Sequence, residues 1–232
     1  MKDVIRRDFT VNGLICDPQT GELFDHVGGI ADLKRGILRT IGDPDRRFSE
    51  DYLRILRAVR FTARLGFELD SAARDAAMRH AEKLRILSAE RIRDELEKIL
   101  TGPRPSLAFR LMLELGILQV ILPEIAALDG VKQPPKFHPE GDVFTHTMIM
   151  LERMCHPTRE LAWSVLLHDV GKPAAAAPGP DGIIHFYGHE HIGSQMAEKI
   201  LTRLKCPSAL IRNVAAAVAN HMKFASVDKM KR

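Results

Sequence analysis

From Phe48 onward the apolar residues recur at three- and four-residue steps, and that period restricts most of the chain to helices. Phe48, Tyr52, Ile55, Leu56, Val59 and Ala63 form one such face. Ser49 is its candidate N-cap, with Glu50 and Asp51 in the first turn, where the helix dipole favours acids. Ser71 and Ser88 open two more helices, the second closed by Thr101-Gly102, and residues 105–115 and 118–127 continue the pattern. The first forty residues read differently. Residues 9–15 and 22–25 flank the turn Asp17-Pro18-Gln19-Thr20-Gly21 and predict a hairpin. Gly28-Gly29 precedes a short helix, and residues 37–41 predict another strand.

Turn-forming residues cluster at Asp129-Gly130, Pro134-Pro135 and residues 139–142, so a linker is expected over 130–142. Beyond it the period predicts four or five helices. One begins near Val143, one covers 161–167, one has Ile192, Met196 and Ile200 as its inner face, and one covers 209–222.

Composition removes several classes. A chain of 232 residues with 45% apolar and 28% charged residues is expected to be soluble and globular, as one large or two small domains. No stretch reaches the ~20 apolar residues of a membrane span, and no signal peptide opens the sequence. Cys16, Cys155 and Cys206 are too few and too scattered for a disulfide framework or a thiolate metal site. A cytoplasmic protein is the simplest expectation, and its oligomeric state is left open. Net charge is only +4, but between Lys34 and Arg64 nine Lys/Arg face four acids. That excess suits a phosphate-bearing partner, and a solvated helix face accounts for it equally well.

Two residue groups carry candidate chemistry. Arg6-Arg7, Asp8 and the short polar residues after them are the groups a triphosphate site uses. Helical geometry puts Glu50, Arg54 and Arg57 on one face with Asp51 beside Arg54, an acceptor and a rigid donor fork that can read a base edge. The same pairs also occur as ordinary i,i+4 ion pairs. Nucleotidyl transfer needs clustered carboxylates for Mg²⁺ as well, and the five residues before Arg6 contain no Asp-x-Asp pair. In the second half, eight of the ten histidines lie beyond residue 137. His146, His168 with Asp169, His189 and His221 fall on four different predicted helices, a donor set suited to a mixed nitrogen and oxygen metal site.

The motifs in residues 6–67 occur together and in order, and there the chain resembles the class II tRNA nucleotidyltransferases (CCA-adding enzymes) and bacterial poly(A) polymerases. The run from Arg6 to Asn12 is similar to the family's ribose- and triphosphate-binding motif, which implies nucleotide-binding roles for Arg6, Arg7, Asp8 and Asn12. Residues 25–28 with Asp32 and Leu33 resemble its hinge. Glu50-Asp51-x-x-Arg54 resembles the protein template that selects C and A, Asp51 and Arg54 meeting the base, with Arg57 and Arg60 in the same basic helix. Residues 88–96 resemble the neck helix behind it. Gly13 stands where the family usually has Ala, and the catalytic motif with its metal-binding acids is missing.

Residues 138–225 resemble the HD superfamily of metal-dependent phosphohydrolases through His146, His168-Asp169-x-Gly-Lys and His189-Glu-x-x-Gly. The resemblance implies catalytic roles for His168, Asp169 and Lys172, with Lys172 on substrate phosphate, and metal ligation by His146, His168, Asp169, His189 and His221. Asp228 is the alternative late ligand.

Together these resemblances imply three parts: the end of a nucleotidyltransferase head over 1–42, a helical neck and RNA-binding region over 43–129, and an HD domain over 130–232. The implied partners are tRNA, CTP and ATP, with no membrane. The implied ions are Mg²⁺ with the nucleotide and Mg²⁺, Mn²⁺ or Ni²⁺ at the HD site. Three functions stay open: a tRNA nucleotidyltransferase segment fused to an HD domain, a stand-alone phosphohydrolase of 2′,3′-cyclic or 2′-phosphates, and a non-catalytic tRNA-binding module.

Overall fold

The computed structural model describes residues 2–133, 141–179 and 183–224. Most of the 130–142 linker and Asp228 lie outside the described residues. The chain is mainly helical with three two-stranded sheets among the described residues, as the apolar period predicts. It divides into two compact units, one of residues 1–95 with 102–121 and the other of 96–101 with 122–232.

In the first unit, α1 (Lys2–Ile5) leads into a 3-10 turn at Thr10–Asn12, then the antiparallel pair β1 (Ile15–Cys16) and β2 (Leu23–Phe24). The hairpin is where the turn residues predict it, but it starts later than expected. Residues 10–12 turn back instead of extending, because Phe9 bridges Thr40 and its side chain enters the core. After α2 (Gly29–Arg35), β3 (Ile37–Leu38) pairs in parallel with β4 (Glu68–Leu69), a strand too short for alternation to reveal.

The largest correction concerns the template motif. Its helix does not start at Ser49. Asp43 caps α3 (Pro44–Glu50) by accepting from the Arg46 N–H, with Pro44 at the first helical position. The chain breaks at Asp51, whose φ of −159° and ψ of 104° are extended, and restarts as α4 (Leu53–Leu65). Glu50 and Asp51 therefore end one helix and precede another. Apolar spacing runs through the break because Phe48, Ile55, Leu56 and Val59 enter one core.

α5 (Ser71–His80) follows Asp70, which supplies the cap instead of Ser71. Next come α6 (Ala89–Leu100), whose residues from Leu96 onward belong to the second unit, then α7 (Pro105–Glu114) and α8 (Ile117–Ile121). Phe9, Phe48, Leu84 and Phe109 are fully buried in this unit, each worth about 1.5–3 kcal/mol of apolar burial. Arg60 on α4 donates from Nε to Glu95 Oε2 on α6 at 2.7 Å, with side chains only 12% and 3% exposed. Glu95→Ala leaves that guanidinium buried without its carboxylate. The unit is expected to lose about 3–5 kcal/mol in urea unfolding.

The second unit holds α9 (Pro123–Ala126), α10 (Val143–Glu152), α11 (Arg159–Leu167), α12 (Lys172–Ala175), the hairpin β5 (Ala177–Pro178) and β6 (Ile184–His185), α13 (His189–Arg203) and α14 (Ser208–Phe224). Asp142 and Thr158 cap α10 and α11 through side-chain oxygens. α14 packs on α13 and α11. The inner face of α13 is His189, Gly193, Ala197, Ile200 and Leu201, rotated from the expected stripe because Ile192 and Met196 are only half-buried. Gly193 lies against Gly171, where an added Cβ would sit 2.2 Å from the His189 carbonyl oxygen. Two glycines thus bring the α11–α12 junction onto the first turn of α13.

Candidate nucleotide pocket and candidate metal centre

In the first unit a cleft of about 640 Å³ opens between the 6–12 run and α4, within the usual size of ligand pockets. Asp8 is its anchor. Oδ1 accepts from its neighbour's Phe9 N–H and from Asn12 Nδ2, both at 2.9 Å, while Oδ2 accepts from Arg57 Nε at 2.7 Å. Burial pushes this carboxyl up, but Asn12 and Arg57 outweigh it and hold its pKa below the ordinary 3.8. Arg7 Nη1 donates to the Asn12 carbonyl at 2.7 Å, which closes the turn on itself.

The residues of the template-like motif are held from several sides. Arg54 Nη1 donates to Glu50 Oε2 at 2.7 Å and to the Arg47 carbonyl at 2.9 Å, and Nη2 reaches the Arg6 carbonyl at 3.2 Å. Glu50 also accepts from Arg47 at 2.8 Å. The Arg54 hydrogen bond is the main reason its pKa falls below 4.5. Asp51 Oδ1 accepts from the Leu53 N–H, and Oδ2 accepts from Arg91 Nη2 at 2.7 Å.

Of the sequence-predicted residues, Arg6, Arg7, Asp8, Asn12, Asp51, Arg54 and Arg57 line this cleft. Glu50 and Arg60 do not. Glu50 braces Arg54 from behind, and Arg60 lies over the Phe61 ring at 4.4 Å while bound to Glu95. Phe61, Leu53 and Arg91 complete the lining and were not among the predicted site residues. Phe61 was detectable as an aromatic four residues after Arg57, on the polar side of α4. With five arginines against Asp8 and Asp51, the cleft is strongly cationic, a setting for an anionic ligand carrying a planar group.

The hinge-like motif is a local cap. Asp25 accepts from the N–H groups of Val27, Gly28, Gly29 and Ile30, which lowers its pKa below 3.8, chiefly through Ile30. Asp32 on α2 accepts from the Thr10 hydroxyl at 2.8 Å and ties the helix to the 3-10 turn.

In the second unit all five predicted metal ligands meet. Asp169 Oδ2 lies 3.0 Å from His168 Nε2 and 4.0 Å from His146 Nε2. Its Oδ1 lies 3.3 Å from His189 Nε2 and 3.7 Å from His221 Nε2. His146–His168–Asp169 and Asp169–His189–His221 are each compact enough to hold one ion. The ring Nδ1 atoms of His168, His189 and His221 face carbonyls three residues earlier, at 2.8, 2.7 and 2.6 Å. A carbonyl only accepts, so these Nδ1 atoms carry the hydrogens and each Nε2 is left as the ligand atom. The donor set therefore fits a divalent metal. Lys172 Nζ also reaches Asp169 Oδ2, at 2.7 Å.

Burial disfavours the Asp169 anion, yet without a metal, when the rings carry a second proton on Nε2, hydrogen bonds from His168, His189 and His221 hold its pKa well below 3.8. Burial likewise opposes a charged His221, but the Asp169 carboxylate leads the effects that raise its pKa above 6.5. His191 is 77% exposed and outside the cluster, and His185 stacks on Tyr187 instead.

Residues 1–39 match the poly A polymerase head domain, and residues 66–128 match the probable RNA and SrmB-binding site of polymerase A. The multifunctional CCA protein of Pasteurella multocida (strain Pm70) is 39% identical over 222 residues, 90% of this chain and 51% of that protein. The corresponding protein of Haemophilus influenzae (strain PittGG) is 38% identical over 221 residues, 89% and 51% of the two chains. The crystal structure of the Bacillus stearothermophilus CCA-adding enzyme in complex with CTP superposes with a TM-score of 0.67 at 28% identity, covering 98% of this chain and 47% of that one. The Thermotoga maritima CCA-adding enzyme complexed with tRNA shares the fold, with a TM-score of 0.54 at 21% identity, covering 100% and 62%. These matches support the nucleotidyltransferase family for this chain. The relatives that carry them are multifunctional CCA proteins and CCA-adding enzymes, and the chain spans about half the length of the curated relatives it matches.

Proposed function

We propose that this chain is the base-selecting and tRNA-holding part of a tRNA nucleotidyltransferase that adds C and A to tRNA 3′ ends. The observation that carries this reading is the cationic cleft in which Asp51 and Arg54 stand beside Asp8, Asn12 and Arg57. Arg54, fixed by Glu50 and two carbonyls, presents donors to a base edge, and Asp51, fixed by Arg91, presents an acceptor. Such a pair suits CTP and ATP as ligands, their triphosphates brought by Mg²⁺ against Arg6 and Arg7. Nucleotidyl transfer is assigned to the whole protein, in which the head, the neck region and the HD region form three successive parts. Direct binding of tRNA lacking its CCA end tests this reading. Affinity should fall steeply between 50 and 200 mM salt, roughly 10³-fold if about six phosphates are neutralised. Undetectable tRNA binding at low salt would sink it.

The His–Asp cluster favours a second activity in the same chain, hydrolysis of 2′,3′-cyclic or 2′-phosphates. His146, His168, Asp169, His189 and His221 would hold Mg²⁺, Mn²⁺ or Ni²⁺, and the ion would supply Lewis-acid activation of water. The chain's own residues prepare the centre. Carbonyls orient three imidazoles, and Lys172 stands beside Asp169 with N–H groups suited to a phosphate oxygen. If neither nucleotides nor phosphoesters are turned over or bound, a plain tRNA-binding module remains.

A further inference from the structure

Lys172 does not rest on Asp169 alone. Its Nζ also donates to Gln133 Oε1 at 2.6 Å, a bond between residues 39 apart in sequence. Both side chains are buried, with 6% of each residue exposed. An ammonium has only donors, so the amide must turn its oxygen toward Lys172 and its Nε2 away. Nε2 is buried and has no hydrogen-bond partner among the described residues. Buried amides in folded proteins are almost always satisfied at both ends, so a residue serving stability alone is a poor account of this one.

The placement of Gln133 is built, not incidental. Asp142 accepts from the Gly130 N–H at 2.7 Å through Oδ2 and from the Thr145 N–H at 2.7 Å through Oδ1. Val143 and Phe144 donate to the carbonyls of Val131 and Leu128. One clamp therefore sets both the segment that ends in Gln133 and the start of α10, which carries His146.

We propose that Gln133 is a positioning residue for Lys172. It takes one ammonium N–H, Asp169 takes a second, and the third is thereby directed to an oxygen of a phosphate ester at the metal centre. This inference rests on the phosphohydrolase reading of that centre. The remote position 133 becomes a determinant of phosphate affinity without itself touching substrate or metal.

The test is a double-mutant cycle on the full chain loaded with Mn²⁺, with inorganic phosphate as the titrated probe and 2′,3′-cyclic AMP as substrate. Gln133→Met should leave Mn²⁺ affinity within about 3-fold, weaken phosphate roughly 10-fold, and raise KM by a similar factor with little change in kcat. In a Lys172→Met background the same substitution should have no further effect, because its action runs through Lys172. Gln133→Asn, which keeps the amide but retracts it by one methylene, should reproduce the loss and covers the case in which the Met variant fails to fold. Mn²⁺ binding with phosphate affinity unchanged by either variant, or an equal loss in the Lys172→Met background, would overturn the inference. Absence of Mn²⁺ binding in the unaltered chain would instead remove the phosphohydrolase reading, and this inference with it.

Discussion

Replacing Asp169 with asparagine is expected to remove divalent-metal binding, lowering affinity by more than the roughly 100-fold that loss of a residue merely supporting a ligand costs. The reason is its central place. Its two oxygens serve both three-residue groups, so no pair of histidines retains a carboxylate once it is gone. Asparagine keeps the volume and one oxygen acceptor but not the charge. It also leaves Lys172 buried with only neutral amide oxygens opposite, which should cost the second unit about 3–5 kcal/mol. Asp169→Ala adds a cavity and should cost more. Calorimetric titration with Mn²⁺ and Ni²⁺, beside urea unfolding, separates the two losses. Any hydrolysis of 2′,3′-cyclic AMP should disappear with the metal. Retained metal affinity in Asp169→Asn would mean that the histidines alone form the site.

The second large effect is expected at Arg54. Its guanidinium is held by Glu50 and the carbonyls of Arg47 and Arg6, so its direction is set before any ligand arrives. Arg54→Ala should weaken CTP binding about 10- to 100-fold, the range for losing a hydrogen bond to a charged group. Arg54→Lys should not restore it, because an ammonium lacks the planar fork. Arg110→Ala, an equally cationic change on the exposed side of α7, should leave CTP affinity unaltered. Equal losses in Arg54→Ala and Arg110→Ala would mean that only net charge matters.

What could be read from the sequence divides along a physical line. Most helices from residue 71 onward follow their apolar periods to within a turn. The stretch expected as one helix over 118–127 breaks at Leu122, where Pro123 starts a new helix, and the short helix Lys172–Ala175 was not expected. The helix break at Asp51 does not follow from the period either, because Phe48 and Ile55 face one core and their spacing hides the interruption. Asp43-Pro44 was the better start signal. β4 has two residues and exists only because Gly36 and Leu38 present carbonyls to Glu68 and Asp70. At the nucleotide cleft, residues on the 6–12 run and α4 were nameable from motif spacing, whereas Arg91 enters through an ion pair formed 40 residues away. In the second unit the five metal-ligand candidates were nameable from residue type. Gln133 was not, since a lone glutamine in a turn-rich stretch carries no signal until Lys172 is placed against it.

The most direct measurement is equilibrium titration of the chain with CTP, ATP, GTP and UTP in the presence of Mg²⁺, repeated with Asp51→Ala. If the cleft selects bases, CTP and ATP should bind at least about 10-fold more tightly than GTP and UTP, as expected when a site's fixed donors and acceptors meet the wrong edge. Asp51→Ala should collapse that difference while leaving residual triphosphate binding to the arginines. Equal affinity for all four nucleotides, or a preference that survives Asp51→Ala, would contradict the account.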